Sequence, residues 1–317
     1  MTDFVFKKRV LFIGVPDMAY VGLEKLLDAN VNIVGVVGPL KTHNTYNAFK
    51  NFVLSKHLNF IEYDKLNDSD LLEKLDALNI DIAVVCSFNN KIPKVFMDKI
   101  KDGIVNVHPS LLPKYRGGNP YSWVIINGEK ETGVTLHFMS ENFDDGDIIY
   151  QTTCELLPDE TMGTLFNRTN EIGANMLLKA LVTYENQGFL PRRTQPEGDF
   201  ISAPNIKDNQ TFLNYNYTAI QLERLIRGLN PYLSAMTAFN GEVLRIHKAR
   251  VENIENESEF ENGQICKVDS KNVYIKTKQG CLVPEVIQYS GFIIGDCSDF
   301  IKIAQPKIGD KFINGYT

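Results

Sequence analysis

The sequence predicts a two-domain α/β protein, a parallel-rich sheet wrapped by helices and then a small β-barrel. Three observations predict it. The first hundred residues alternate short apolar runs with stretches of helical spacing, the pattern of a parallel sheet covered on both faces. Beyond a Pro/Gly-bearing stretch, short β-rich runs recur at regular intervals between turn dipeptides, as in small barrels. At 317 residues the chain also exceeds what one modest core accommodates.

The elements follow in order. Arg9–Gly14 is an apolar run closed by glycine and reads as a buried strand. Residues 18–29 place Tyr20, Leu23, Leu26 and Leu27 at helical spacing. Asn32–Gly38 is a second strand, 44–57 and 70–78 are helices, and Ile80–Cys86 is a third strand. Pro191, Pro196, Gly198 and Pro204 mark a linker over 191–205, so the domains are expected at 1–190 and 206–317. In the second, Thr218 caps a helix that runs to Arg227. Five strands follow at 233–239, 242–251, 263–269, 272–277 and 281–288, separated by Asn240-Gly241, Asn262-Gly263 and Gln279-Gly280. The acidic run 252–262 reads as an exposed loop, and no internal repeat is present.

Composition narrows the function. Hydrophobic residues at 44 % and charged residues at 23 % exclude a disordered chain. No apolar run approaches the roughly 20 residues that span a bilayer. The N-terminal order, a short apolar stretch before Lys7-Lys8-Arg9, is the reverse of a secretory signal, so a cytoplasmic location is expected. The five cysteines are odd in number and widely spaced, as for reduced thiols, and the histidines show no His-x-x-x-His pair. No metal site is expected. A net charge of −6 weighs against a partner held mainly through phosphates. Gly14-Val15-Pro16-Asp17-Met18-Ala19 lacks the G-x-G-x-x-G loop that would seat a pyrophosphate, which removes the nicotinamide-dependent dehydrogenases.

Residues 104–150 carry the chemistry. Asn106 and His108 are two apart at the end of an apolar run, so on a strand they share one face. They stand at the carboxyl end of a strand, where open parallel sheets place their sites. A loop bearing Pro109, Pro113, Gly117 and Gly118 follows, and Asp144 lies in the turn after the next apolar segment, 134–139. An amide that stabilises an oxyanion, an imidazole that takes a proton and a carboxylate that orients it make an acyl-transfer site. The competing reading is a turn whose Asn and His are merely satisfied side chains. His137, alternating with apolar neighbours, reads as a strand residue, and Trp123 as helix core.

The string Asn106-Val-His108-Pro-Ser110-Leu-Leu-Pro113-Lys-Tyr-Arg116-Gly117, with Gly133-Val-Thr and Phe143-Asp-Asp-Gly-Asp147 downstream, resembles the signature of the 10-formyltetrahydrofolate-dependent formyltransferases. That family includes enzymes acting on methionyl-tRNA, glycinamide ribonucleotide and sugar nucleotides. The similarity extends over nearly the whole chain, through Ala203-Pro-Asn-Ile and Gln221-Leu-Glu-Arg-Leu-Ile-Arg-Gly-Leu-Asn-Pro231. It implies a Rossmann-like catalytic domain, an OB-like second domain and 10-formyltetrahydrofolate as cosubstrate. It assigns Asn106 to the oxyanion, His108 to proton transfer and Asp144 to partnering the histidine. It places the folate along Cys86, Ser87, Phe88 and Ile92, within Val85–Ile92, and along the Ser110-Leu111-Leu112-Pro113 loop.

The acceptor amine is read from departures within the family. The tRNA enzymes carry an alanine where Pro109 stands and a Gly-Ala-Ala-Pro-Ile-type run where Gly117-Gly118-Asn119-Pro120 stands. They also carry a long basic insertion where Gly38–Tyr46 has one lysine. Residues 205–317 hold about thirteen basic and about thirteen acidic side chains, without a phosphate-binding excess. A nucleotide-linked amino sugar is the expected acceptor, with Arg116, Gly117, Asn119 and Arg227 as its candidate contacts. The alternative is methionyl-tRNA. A non-catalytic folate- or nucleotide-binding protein and a formate-releasing hydrolase complete the alternatives.

Overall fold

The computed structural model describes residues 5–16, 18–88, 90–289, 295–313 and 315. Asp17 of the first turn, Asn89 of the folate segment and Met1–Phe4 of the N-terminal reading lie outside the described residues.

The chain runs β1 (Val10–Gly14), α1 (Met18–Asp28), β2 (Ile33–Val37), α2 (Tyr46–Ser55), β3 (Phe60–Ile61), α3 (Ser69–Ala77), β4 (Ile82–Cys86), α4 (Lys94–Met97) and β5 (Ile104–His108). There follow α5 (Pro120–Ile126), β6 (Glu131–Phe138), β7 (Ile148–Glu155) and α6 (Met162–Gln187). The sheet order is β3-β2-β1-β4-β5-β6-β7. The first five strands are parallel, whereas β6 and β7 pair antiparallel. Strand order reverses between β1 and β4, the arrangement that leaves a crevice beyond the carboxyl ends of the strands.

Strand alternation sorts the sheet into two faces. Leu11, Ile13, Ala83, Val85 and Ile104 join one buried cluster with Leu71 and Leu75 of α3 and Phe96 of α4. Phe12 and Cys86 are one step out of phase and pack instead toward Gly22 of α1. Both layers are dry, which is why these strands read as unbroken apolar runs.

Two compact units divide the chain, and they are not two consecutive pieces. The first comprises 1–118, 131–155 and 167–203; the second comprises 119–130, 156–166 and 204–317. The C-terminal boundary falls inside the expected linker, but α5 and residues 156–166 belong with the second unit. Local periodicity could not assign them, because they are short helical or irregular pieces flanked on both sides by the other unit.

The second unit holds α7 (Ala219–Leu229), β8 (Ala235–Phe239), β9 (Glu242–Glu252), β10 (Ile265–Val268), β11 (Val273–Lys276), β12 (Cys281–Tyr289), β13 (Gly295–Asp296) and α8 (Cys297–Ala304). The five expected strands are present, with β13 and α8 additional. They form an antiparallel sheet ordered β10-β11-β12-β9-β8, with β13 on β12. No ladder joins β10 to β8 among the described residues. The stretch 309–313 bridges them instead: Phe312 N–H donates to Gly263 O (2.9 Å), and Ile313 N–H to Ala238 O (2.9 Å). Phe239, Phe300 and Phe312 meet in the core of this unit. The ring is thus completed by irregular chain, which carries no two-residue period to read.

Thr218 caps α7 as expected. Its Oγ1 accepts from Gln221 N–H (3.3 Å), and the Gln221 side chain accepts from Thr218 N–H (3.0 Å). Removing a capping hydroxyl typically costs about 1 kcal/mol. Thr218→Ala should therefore lower the unfolding free energy by about 1 kcal/mol in urea denaturation. An unchanged midpoint would show the cap to be idle.

Candidate active site

Antiparallel pairing of β5 with β6 sets Asn106 opposite His137 and His108 opposite Thr135. Cross-strand partners share a face, so four polar side chains gather at the end of β5. His108, His137 and Thr135 are buried. Each imidazole is fixed by one backbone bond. His137 Nδ1 lies 2.9 Å from Phe138 O, so Nδ1 carries the proton and Nε2 accepts from Asn106 Nδ2 at 3.1 Å. His108 Nε2 lies 2.9 Å from Tyr115 O and must carry its proton there, which leaves the Nδ1 lone pair facing Asp144 Oδ2 at 3.6 Å. The other oxygen, Oδ1, lies 3.6 Å from His137 Nε2.

Asp144 reaches this place from a turn with left-handed backbone, φ +54°. Its Oδ2 accepts from Gly117 N–H at 2.9 Å. Gly117 itself has φ +124°, and a Cβ there would stand 2.7 Å from Ala203 O. Gly146 allows the turn to close, since a Cβ on it would meet Phe138 O at 1.9 Å. These two positions require glycine.

The charges follow from this packing. Burial alone would raise the Asp144 carboxyl, but His108, His137 and the Gly117 N–H outweigh it and bring its pKa to about 2. Burial pushes the His108 imidazole below its ordinary value, against the pull of Asp144. A permanent carboxylate therefore faces a neutral imidazole that can take a proton.

The remaining expected site residues divide by placement. Phe88 and Ile92 line a cleft with Val85, Met97, Met139 and the Asn106–His137–Asp144 group. Cys86 does not, because strand alternation turns it to the opposite face, where burial pushes its thiol up to about 12. Ser87 has left-handed backbone, φ +59°, and turns the chain out of β4. The Ser110–Pro113 loop lines no part of the cleft among the described residues. It is braced by Thr135, whose Oγ1 donates to Ser110 O (2.6 Å), and by Gln151, which donates to Leu112 O (2.8 Å). Leu111 packs over Gly133. Asn119 precedes α5, and the Arg227 guanidinium is engaged by the Glu223 carboxylate and by Glu160 O (2.8 Å).

Two residues of the site were not foreseen. His137, read as an ordinary strand residue, holds Asn106; its pairing with β5 is the signal, and that pairing is a tertiary fact. Gln195 lies inside the expected linker, yet it is only 7 % exposed. Its Nε2 donates to the carbonyls of Asp144 (2.8 Å) and Gly146 (2.9 Å), and its Oε1 accepts from Arg116 Nη2 (2.6 Å) and Nε (3.2 Å). Arg116, expected at the acceptor, instead anchors this clamp and lies over the Phe200 ring, 5.5 Å from its centroid. Trp123, expected as core, is half-buried and donates to Pro204 O (2.7 Å).

A carboxamide, an imidazole and a carboxylate gathered at a sheet end are the groups that transfer to a nucleophile would use. Residues 10–181 match the family model described as formyl transferase, and residues 205–305 match its C-terminal domain. The methionyl-tRNA formyltransferase of Clostridioides difficile is 34 % identical over 286 residues, covering 88 % of this chain and 92 % of the relative. That of Agathobacter rectalis is 33 % identical over 311 residues, covering 96 % and 99 %. Among solved structures, a Helicobacter canadensis N-formyltransferase in complex with folinic acid and dTDP-3-aminofucose matches with TM-score 0.67 at 19 % identity, covering 87 % of this chain and 98 % of its own. WlaRD, a sugar 3N-formyl transferase, matches with TM-score 0.66 at 20 % identity, covering 90 % and 99 %. The chain belongs to the formyl transferase family. It is an N-formyltransferase whose formyl donor is 10-formyltetrahydrofolate.

The cleft is narrow. Val85, Phe88, Ile92, Met97 and Met139 give it apolar walls, and Asn106 and Asp144 a polar end. Its volume is about 50 Å³, far below the roughly 300 Å³ at which small-molecule pockets begin. Among the described residues no group of three or more His, Cys, Asp or Glu side chains is placed to hold a metal ion. No described helix is long and apolar enough to cross a membrane.

Gln195→Ala should cost about 1–3 kcal/mol in urea unfolding, because it leaves two part-buried carbonyls and a guanidinium without this partner. A loss under about 0.5 kcal/mol, the size of an ordinary surface substitution, would show that water replaces the clamp.

Proposed function

We propose that Asn106, His108 and Asp144 carry the transfer and that the acceptor is the amino group of a small nucleotide-linked sugar. The folate, when bound, supplies the formyl group. Asn106 spends one amide N–H on His137, and the second remains to stabilise negative charge on the formyl oxygen as the amine adds. His108 Nδ1 takes the proton released by the amine, since Nε2 is committed to Tyr115 O. Asp144, 3.6 Å away, stabilises the imidazolium so formed. The observation that carries this reading is the gathering of Asn106, His108 and the Asp144 carboxylate at the end of β5.

Proton uptake requires neutral His108. Because burial lowers its pKa, the acid limb of kcat/KM should lie below pH ~6.5, the value of an ordinary imidazole. The Asp144 charge raises that pKa, so Asp144→Asn should shift the limb to still lower pH while reducing the rate about 10²–10⁴-fold. A limb that moves up in the variant would remove Asp144 from this role. His108→Ala should abolish turnover.

Local charge supports the sugar acceptor. Lys41, the one lysine of the 38–46 segment, faces Glu62 (3.9 Å) and Asp64 (3.7 Å). Asp68 and Asp70 line the same surface cavity. Glu62 stays ionised, its pKa lowered to about 2 by hydrogen bonds from Lys50 and Tyr46. Lys74 lines the same cavity and Lys50 pairs with Glu62, so these charges are largely balanced and offer an RNA backbone no basic excess. The complex of the Helicobacter canadensis structure with dTDP-3-aminofucose agrees with this reading at the level of fold.

The second reading is methionyl-tRNA as acceptor. The relatives that match along nearly their whole length carry that name, and this is stronger support than the comparisons give the sugar. The two separate in one assay. With 10-formyltetrahydrofolate and a panel of nucleotide-linked amino sugars, turnover should appear with a sugar and not with charged initiator tRNA. Formylation of the tRNA alone would overturn the sugar acceptor and leave the catalytic residues standing.

A further inference from the structure

The second unit contains a cavity of about 650 Å³ between α5, α7 and the segment 206–217. No step of formyl transfer uses it. Its apolar walls include Trp123, Tyr217 and Leu225, and its polar walls include Asn127, Gln221 and Arg224. None of its lining residues is acidic. The volume falls within the roughly 300–1,000 Å³ of small-molecule sites, which pair apolar walls with a few polar groups.

Arg224 is the informative member. Its guanidinium lies flat over Gly128, where a Cβ would stand 2.2 Å from Cζ. No described residue gives that side chain a hydrogen bond or an ion pair. Arg227, one turn further along α7, shows what the alternative looks like, held by Glu223 and Glu160 O. An arginine pinned beside a cavity without carboxylates, its five donors unspent, fits an anion. Trp123 has its indole N–H committed to Pro204 O, which fixes the ring and leaves its π surface for stacking. Tyr217 is 54 % exposed and adds a second ring.

We infer that this cavity binds a planar heteroaromatic ring bearing an anionic group, the chemistry shared by nucleoside phosphates and folates. The site is separate from the formyl-transfer cleft, so its test does not depend on turnover.

The chain has a single tryptophan, and it lines this cavity. Indole fluorescence therefore reports on the site directly. The full chain would be titrated with nucleoside 5′-monophosphates, the parent nucleosides, inorganic phosphate and folinic acid. Saturable quenching by a monophosphate, at least tenfold weaker for its nucleoside, is the expected result. It should weaken at least tenfold in Arg224→Gln and in Tyr217→Ala, and persist in His108→Ala. Quenching by folinic acid alone, with the same sensitivity to Arg224→Gln, would assign the site to a folate and sustain the inference. Equal binding of phosphate and nucleotide, or no saturable change below about 1 mM, would overturn it. The His108→Ala arm keeps this outcome distinct from any failure of the catalytic reading. If Arg224→Gln unfolds, Tyr217→Ala alone decides, since its side chain is largely in solvent.

Discussion

The organising constraint of the first unit is a carboxylate that must stay charged while nearly out of water. Desolvation disfavours that charge, and by itself would protonate Asp144 or drive its turn outward. The structure answers with the two histidines beside the carboxylate and one backbone hydrogen bond. One backbone N–H, two imidazoles and a turn of left-handed chain converge on the side chain. The fixed features nearby follow from that demand. Gly117 presents the N–H, Gly146 lets the turn close on β6, and Gln195 ties the turn's carbonyls to Arg116.

The imidazoles obey the same logic. Neither histidine is paired with a base through both nitrogens; each gives one N–H to a main-chain carbonyl and keeps one lone pair. Such a bond fixes the orientation of a buried imidazole. His137 directs its lone pair at Asn106, and His108 directs its own at Asp144. The two residues do different work because the β5–β6 register offsets them by one pair of positions.

What the sequence made legible was whatever repeats locally. Two-residue alternation placed Asn106 and His108 on one face, and the same alternation, followed strictly, separates Val85 in the cleft from Cys86 behind it. The helices α1 to α3, the Thr218 cap and the five strands of the second unit all rest on short-range periods and turn residues. The misses share a different origin. His137 needs the β6 partner to give it meaning. Gln195 meets Asp144 across 51 positions and Arg116 across 79, from a stretch whose prolines and glycine read as linker. The ring of the second unit closes through 309–313, which has hydrogen bonds but no strand period. Such contacts are made by single side chains or single peptide groups, and one-off contacts leave no pattern in a lone sequence.

The acceptor belongs to a third category, set neither by period nor by tertiary contact but by the sign of a surface. Fold does not choose the substrate, and formyl transfer requires of its acceptor an uncharged amine. A long anionic polymer, in contrast, must be attracted over many phosphates at once, and its affinity falls with each one that lacks a cation. Lys41 is committed to Glu62 and Asp64, while the basic and acidic side chains of 205–317 balance one another. A small substrate makes no such demand; a few directional contacts and one diphosphate suffice to hold it. Charge distribution is therefore the feature of this chain that bears on the proposed small acceptor, whereas likeness along the chain supports methionyl-tRNA.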